Sequence, residues 1–133
     1  MIYGYVNPYS RDEKGFIQRQ MLKNYGVDFV FEEQEFGKAN EPVELEKLMD
    51  TVKPKDTIVV IKLSCFASSS EQLIDNLAKL REQGVRFISL FDGMDTRKNG
   101  ELYLNMIKRM DEFGFDVRSE RTRLGIHKNK KKS

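Results

Sequence analysis

The 133-residue sequence has no tryptophan, one cysteine (Cys65), one histidine (His127), three prolines and nine glycines. Each shortage excludes something. A single cysteine cannot close an internal disulfide, and one histidine beside it is too few ligands for zinc, so a reduced compartment with no metal and no cofactor is expected. Low proline and glycine, with 39% hydrophobic and 33% charged residues, rule out collagen-like repeats and wholesale disorder. Long apolar runs are missing too. Thr57-Ile58-Val59-Val60-Ile61 falls far short of the ~18 residues needed to cross a bilayer, and the N-terminus lacks the basic-then-apolar layout of a leader. A cytoplasmic chain with no membrane partner is expected, and its length fits one domain.

What is present is a split of charge. Residues 1–117 carry 16 basic and 20 acidic side chains, whereas residues 118–133 carry 7 basic and 1 acidic. The body is thus acidic and the end basic. A basic extension suits phosphates, and a solvated lysine tail with no partner is the plain alternative.

Hydrophobic periodicity places the elements. Ile2 to Val6 alternates like a strand and stops at Asn7-Pro8. Asp12 to Asn24 favours a helix whose stripe is Phe16, Ile17, Gln20, Met21 and Tyr25, ended by Gly26. Val27 to Glu32 is a second strand. Residues 33–41 form a loop, and Pro42 opens a helix through Val52 that buries Leu45, Leu48, Met49 and Val52. Asp56 to Lys62 holds an uninterrupted apolar run, as a strand buried on both faces requires. Ser68-Ser69-Ser70-Glu71 caps a helix that Gly84 stops, and Val85 to Phe91 is the fourth strand. Asp92-Gly93-Met94-Asp95 reads as a turn. From Glu101 a helix runs for about 20 residues.

Strands alternating with helices predict a three-layer α/β sandwich with a mainly parallel central sheet, followed by a long C-terminal helix. The expected limits are a domain over 1–126, with the sheet body at about 1–99 and the long helix at about 100–124, then a basic tail at 127–133. The long helix has more apolar residues than one side needs, so Leu102, Met106, Met110 and Phe113 are candidates for self-association into a dimer or higher oligomer.

In a parallel sheet the ligand site lies beyond the carboxyl ends of the strands, here the loops Asn7–Arg11 and Lys62–Ser69. These loops should face each other. They hold Tyr9, Ser10, Ser64, Cys65, Ser68 and Ser69, but no phosphate-binding glycine pattern, and there is no histidine for a serine triad. Tyr9 reads most simply as an aromatic packed over the strand ends, and Cys65 as a small buried residue.

At these residues the chain resembles the N-terminal catalytic domain of the serine recombinases, the resolvase/invertase family. The resemblance rests on Gly4-Tyr5, Ser10-Arg11-Asp12, Gln20, Phe31-Glu32-Glu33 with Gly37, Asp56 to Val60 with Lys62-Leu63, Gly84-Val85, and Ser119-Glu120-Arg121-Thr122-Arg123 with Gly125. It covers nearly the whole chain in order. It implies a parallel-sheet fold, a dimerising helix leading toward DNA, and a setting in a mobile element or phage.

The resemblance also implies a catalytic set, and the departures fall on that set. The family's Tyr-x-Arg-Val-Ser-Thr opening is Tyr5-Val6-Asn7-Pro8-Tyr9-Ser10, so Asn7 stands at the arginine and Tyr9 at the serine. Lys-Leu-Asp-Arg-Leu-Gly-Arg-Ser becomes Lys62-Leu63-Ser64-Cys65-Phe66-Ala67-Ser68-Ser69. Glu41 replaces the arginine of Arg-Pro, and the family's Glu-Arg pair falls near Gly114 and Phe115. The stretch between Asp12 and Gln20 is about two residues longer than in compact members. Phosphoryl transfer needs fixed cations at the phosphoryl oxygens, each removed donor costing ~10²-fold or more. With no catalytic position intact, the expected role is self-association and binding of the DNA backbone or a full-length recombinase. Arg121, Arg123, Lys128, Lys130, Lys131 and Lys132 would make sequence-independent phosphate contacts. The alternative is a divergent active recombinase using Ser10 as nucleophile or a partner-supplied site. A small-molecule site in the strand-end crevice ranks last, since it rests on fold analogy alone. The chain ends before the place where small serine recombinases carry a helix-turn-helix module.

Overall fold

The structure, a computed structural model, describes residues 1–34 and 42–112. Its elements are β1 (Ile2–Val6), α1 (Phe16–Tyr25), β2 (Phe29–Glu32), α2 (Val43–Thr51), β3 (Thr57–Val60), a 3-10 turn (Leu63–Cys65), α3 (Ser70–Gln83), β4 (Arg86–Ser89), β5 (Met94–Asp95) and α4 (Gly100–Glu112). The five strands form one sheet in the order β2-β1-β3-β4-β5, parallel except for β5. The expected three-layer α/β architecture is what forms.

Side-chain alternation along the strands divides the core in two. Tyr5, Ile58, Val60 and Phe87 point to one face, where α2, α3 and α4 bring Leu45, Leu48, Leu73, Leu77, Leu80 and Ile107. Val6, Val59, Ile61 and Ile88 point to the other, which α1 covers with Leu22. Each residue of β3 is buried, as a central strand between two helical layers requires.

The helix ends follow local chemistry. Ser69 accepts a hydrogen bond from the Gln72 amide at the start of α3, and Gly84 ends it in the left-handed region (φ 75°). Helix α2 has no side-chain cap of its own. Glu33 supplies one from a distance, its carboxylate accepting from the amides of Glu44 (3.1 Å) and Leu45 (2.8 Å) and from the Tyr5 hydroxyl (2.7 Å). Burial and the hydrogen bond to Glu33 push the Tyr5 phenol far above its ordinary value, so Tyr5 is a permanent donor.

Three expectations are corrected. Helix α1 starts at Phe16, not Asp12, because Tyr9 and Asp12 pair through their backbones and Gly15 turns the chain with φ 71°. A side chain at Gly15 would meet Val6 Cγ1 at 2.7 Å as well as strain that backbone. The inward residues of α1 are Gln18 and Leu22, whereas Phe16, Ile17, Gln20 and Tyr25 face outward and Met21 is only half-buried. Finally, the expected turn at Asp92–Asp95 contains strand β5, which pairs antiparallel with β4. Arg86 and Asp95 hold it there by a two-pronged ion pair, Nε to Oδ1 at 2.9 Å and Nη2 to Oδ2 at 2.5 Å.

Helix α4 packs Leu104 and Ile107 on the core and leaves Leu102 and Met106 exposed. Arg81 of α3 is ion-paired with Glu101 of α4. The side chain of Met110, together with Phe113 and the expected continuation of the helix to about 124, lies outside the described residues.

Candidate functional site at the carboxyl ends of the strands

The loops after β1 and β3 meet at the carboxyl ends of adjacent strands. Their contact is between Lys62 and Tyr9, whose ring centroid lies 4.1 Å from the Lys62 Nζ. The Tyr9 ring also packs on the apolar cluster of Val6, Ile61 and buried Cys65. An ammonium over a ring face gains a cation–π attraction and leaves the phenol oxygen uninvolved.

The loop after β1 is fixed from within. Asn7 is gripped by Gln18, which accepts from the Asn7 amide (3.1 Å) and donates to the Asn7 carbonyl (2.9 Å). Buried Asp12 accepts from the amides of Ile17 (3.1 Å) and Gln18 (3.0 Å), capping α1. Between these anchors Ser10 and Arg11 are exposed on the turn.

The loop after β3 is equally committed. The Leu63 amide donates to Asp92 Oδ2 (2.9 Å), which also accepts from the Ser89 hydroxyl (2.6 Å). Ser64 is half-buried in the 3-10 turn. The Ser68 amide and hydroxyl both donate to Gln72 Oε1 at 2.8 Å, and Ser69 caps α3. Phe66 is buried between Tyr5 and Phe87, with centroids 6.1 and 4.7 Å away.

Of the residues singled out from the sequence, the structure thus gathers Asn7, Tyr9, Ser10, Ser64, Cys65 and Ser68 at one end of the sheet. Glu41, Phe115, Arg121, Arg123, Lys128, Lys130, Lys131 and Lys132 lie outside the described residues. Sequence reasoning missed Gln18. It picked out Gln20, which is exposed and donates to Asn24 (3.3 Å). The usable signal was a polar residue four before Leu22, on the same face of a helix. Asp92 was likewise read only as part of a turn, though it ties β4 to the loop after β3.

Chemically, the arrangement offers the Ser68 and Ser69 hydroxyls engaged at the start of α3, the Tyr9, Ser10 and Ser64 hydroxyls, two carboxylates (Asp12 and Asp92) engaged with backbone amides, and two cations, Lys62 and the exposed Arg11. Among the described residues no group of three or more metal-ligating acids, histidines or cysteines occurs. Nor is any helix there long and apolar enough to cross a membrane.

Comparison with known proteins agrees with this architecture. The chain is 31% identical over 127 residues to a DNA-invertase of Enterobacteria phage P7, covering 95% of this chain and 68% of that protein. It is 29% identical over 127 residues to the transposon Tn917 resolvase of Enterococcus faecalis, covering 95% and 69%. Among solved structures, the N-terminal catalytic domain of TP901-1 integrase superposes with a TM-score of 0.65 at 21% identity, over 85% of this chain and 95% of that one. A resolvase family site-specific recombinase from Streptococcus pneumoniae gives 0.67 at 21% identity, over 97% and 93%. These two likenesses concern the fold. The family described as "Resolvase, N terminal domain" matches residues 8–133, and the chain therefore belongs to the resolvase family of serine recombinases.

Proposed function

We propose that this chain is a serine-recombinase domain that does not cleave DNA, and that it acts in recombination or its regulation by self-association and by binding DNA or a full-length recombinase. The carrying observation is the Lys62–Tyr9 stack. At the position where the family resemblance puts the nucleophile stands a half-buried tyrosine, and the cation beside it covers its ring. Asn7, at the expected arginine, has its backbone locked by Gln18. Ser64, Cys65 and Ser68 are neutral where the family pattern is charged. A phosphoryl-transfer transition state would meet few fixed cations here, and residues that act as a unit fail together.

The working parts on this reading are a domain over 1–126, whose α4 presents Leu102 and Met106 to a second copy, and a basic segment carrying Arg121, Arg123 and Lys128 to Lys132 for phosphates. Such contacts give affinity without sequence information.

The test combines sedimentation velocity, alone and with a ~30-base-pair duplex at two salt concentrations, with a denaturing gel of the protein incubated with a randomised pool of nicked duplexes. Self-association and a salt-sensitive duplex complex, with no covalent adduct, are expected. An adduct that vanishes in Ser10→Ala would instead establish the active alternative with Ser10 as nucleophile. A chain that neither self-associates nor moves the duplex, and fails to bind a full-length family recombinase, would sink the reading.

A further inference from the structure

The outer edge of β5 is closed by a side chain. β5 is the last strand of the sheet, with no neighbouring strand beyond it among the described residues. The carboxamide of Asn99 takes that place, its Oδ1 accepting from the Asp95 amide at 2.9 Å and its Nδ2 donating to the Gly93 carbonyl at 3.1 Å. The Asn99 amide also donates to the Asp95 carbonyl at 2.9 Å. One residue thus covers backbone groups that an edge strand otherwise leaves open, and it does so immediately before α4 begins at Gly100.

By the nature of its neighbour, Asn99 is also the chain's most labile amide. Of seven asparagines only Asn99 is followed by glycine; the others precede Pro, Tyr, Glu, Leu, Met and Lys. Asparagine is a thermolabile side chain because the next backbone nitrogen can attack its amide carbon, and a glycine puts no Cβ in the way. Gly100 is the first residue of α4, where a backbone N–H has no intrahelical acceptor to hold it. Against attack stand the two hydrogen bonds of the carboxamide, which keep Cγ in place on β5. β5 is two residues long and is docked on β4 by the Arg86–Asp95 pair, so this protection lasts only while that short strand stays docked.

We propose that Asn99–Gly100 is a self-acting modification site whose conversion unlocks β5 and the start of α4. The Gly100 nitrogen bonds to Asn99 Cγ, the Cγ–Nδ2 bond breaks, and the displaced amide leaves as ammonia with the proton from Gly100. The product is a cyclic succinimide. Water then opens the ring, at Cγ to give aspartate or at the backbone carbonyl to give isoaspartate. Neither product restores the clasp. An aspartate sets a carboxylate oxygen against the Gly93 carbonyl, two acceptors with no hydrogen between them. An isoaspartate routes the chain through its own side chain, adding a methylene before α4 and displacing the helix that carries Ile107 into the core. The chemistry needs only water, and neither DNA nor a second copy takes part.

The test is incubation of the folded chain at neutral pH, with tryptic peptide mass mapping to follow every asparagine over weeks. Asn99 is expected to convert ahead of the other six, and about tenfold more slowly than in the urea-unfolded chain. Arg86→Ala, checked for folding by circular dichroism, is expected to speed conversion severalfold by freeing β5, and Gly100→Ala to slow it in the folded and the unfolded chain alike. Asn99→Asp, which reproduces one product, is expected to raise hydrogen exchange of the β5 amides and of the first turn of α4 above wild type, with β1 and β3 unchanged. Conversion at Asn99 no faster than at Asn105, in wild type and in Arg86→Ala, would overturn the site. An Asn99→Asp chain that exchanges like wild type would overturn the unlocking, leaving a surface lesion without structural effect.

Discussion

Gln18 holds Asn7 by both of its backbone groups, donating to the carbonyl at 2.9 Å and accepting from the amide at 3.1 Å, in a position with no solvent exposure. This pair joins the end of β1 to the first turn of α1, and so decides both the path of the loop carrying Tyr9 and Ser10 and the rotation of the helix. Gln18→Ala leaves two Asn7 groups unpaired and opens a cavity, at a cost of about 2–4 kcal/mol. Gln18→Met keeps most of the volume and loses only the hydrogen bonds. Urea unfolding should place Gln18→Met between wild type and Gln18→Ala. If it is as stable as wild type, the Asn7 contact does not fix the loop.

The same pair explains where the sequence misleads. β3 and α3 are plain in it, since a run such as Ile58 to Ile61 has few alternatives to a doubly buried strand and Ser69 and Gly84 mark α3 by cap chemistry. The phase of α1 is not, because hydrophobic periodicity assumes that apolar residues win the inward face. Here the hydrogen bonds that Asp12 accepts from the Ile17 and Gln18 amides, and those that Gln18 makes to Asn7, outweigh it. β5 is hidden for a related reason: Asp92-Gly93-Met94-Asp95 has turn composition, and its last two residues become a strand by pairing with Ser89 and Ile88 of β4, where Arg86, nine positions before Asp95, grips the end. The strand-end site was legible as a place, because topology alone puts the loops after β1 and β3 side by side. The Lys62–Tyr9 stack was not, since no periodicity encodes which side chain of a loop folds over another.

The Arg86–Asp95 pair gives the stability a pH dependence. The hydrogen bond from Arg86 holds the Asp95 carboxyl below its ordinary value and raises Arg86 above its own. A carboxyl whose pKa is depressed by folding contributes stability that is fully present above its unfolded value of about 3.9 and is lost as pH falls through the folded value. Asp95→Asn should therefore cost on the order of 1–2 kcal/mol at pH 7 and make stability less steep below pH 4. Thermal melts of both proteins from pH 2.5 to 7 check this. Curves that coincide at all pH values would show that the pair is neutral to folding.

Helix α4 separates residues that hold the fold from residues free to hold a partner. Ile107 is 5% exposed and belongs to the larger core cluster, whereas Leu102 is 60% and Met106 44% exposed. Leu102→Asp/Met106→Asp should leave the melting temperature within about 3 °C of wild type and shift sedimentation to monomer, because surface changes are usually within ±0.5 kcal/mol. Ile107→Ala should cost about 2–4 kcal/mol and lower the melting temperature by several degrees. A double variant that stays oligomeric would move self-association away from these two residues.

The basic segment makes the most quantitative prediction, because counterion release counts contacts. If Lys128, Lys130, Lys131 and Lys132 each neutralise a phosphate, replacing all four with alanine lowers the slope of log K against log salt by roughly 3.6, at ~0.9 per contact. An unchanged slope in the tail variant would return residues 128–132 to a solvated charge run, with DNA affinity resting on the folded domain.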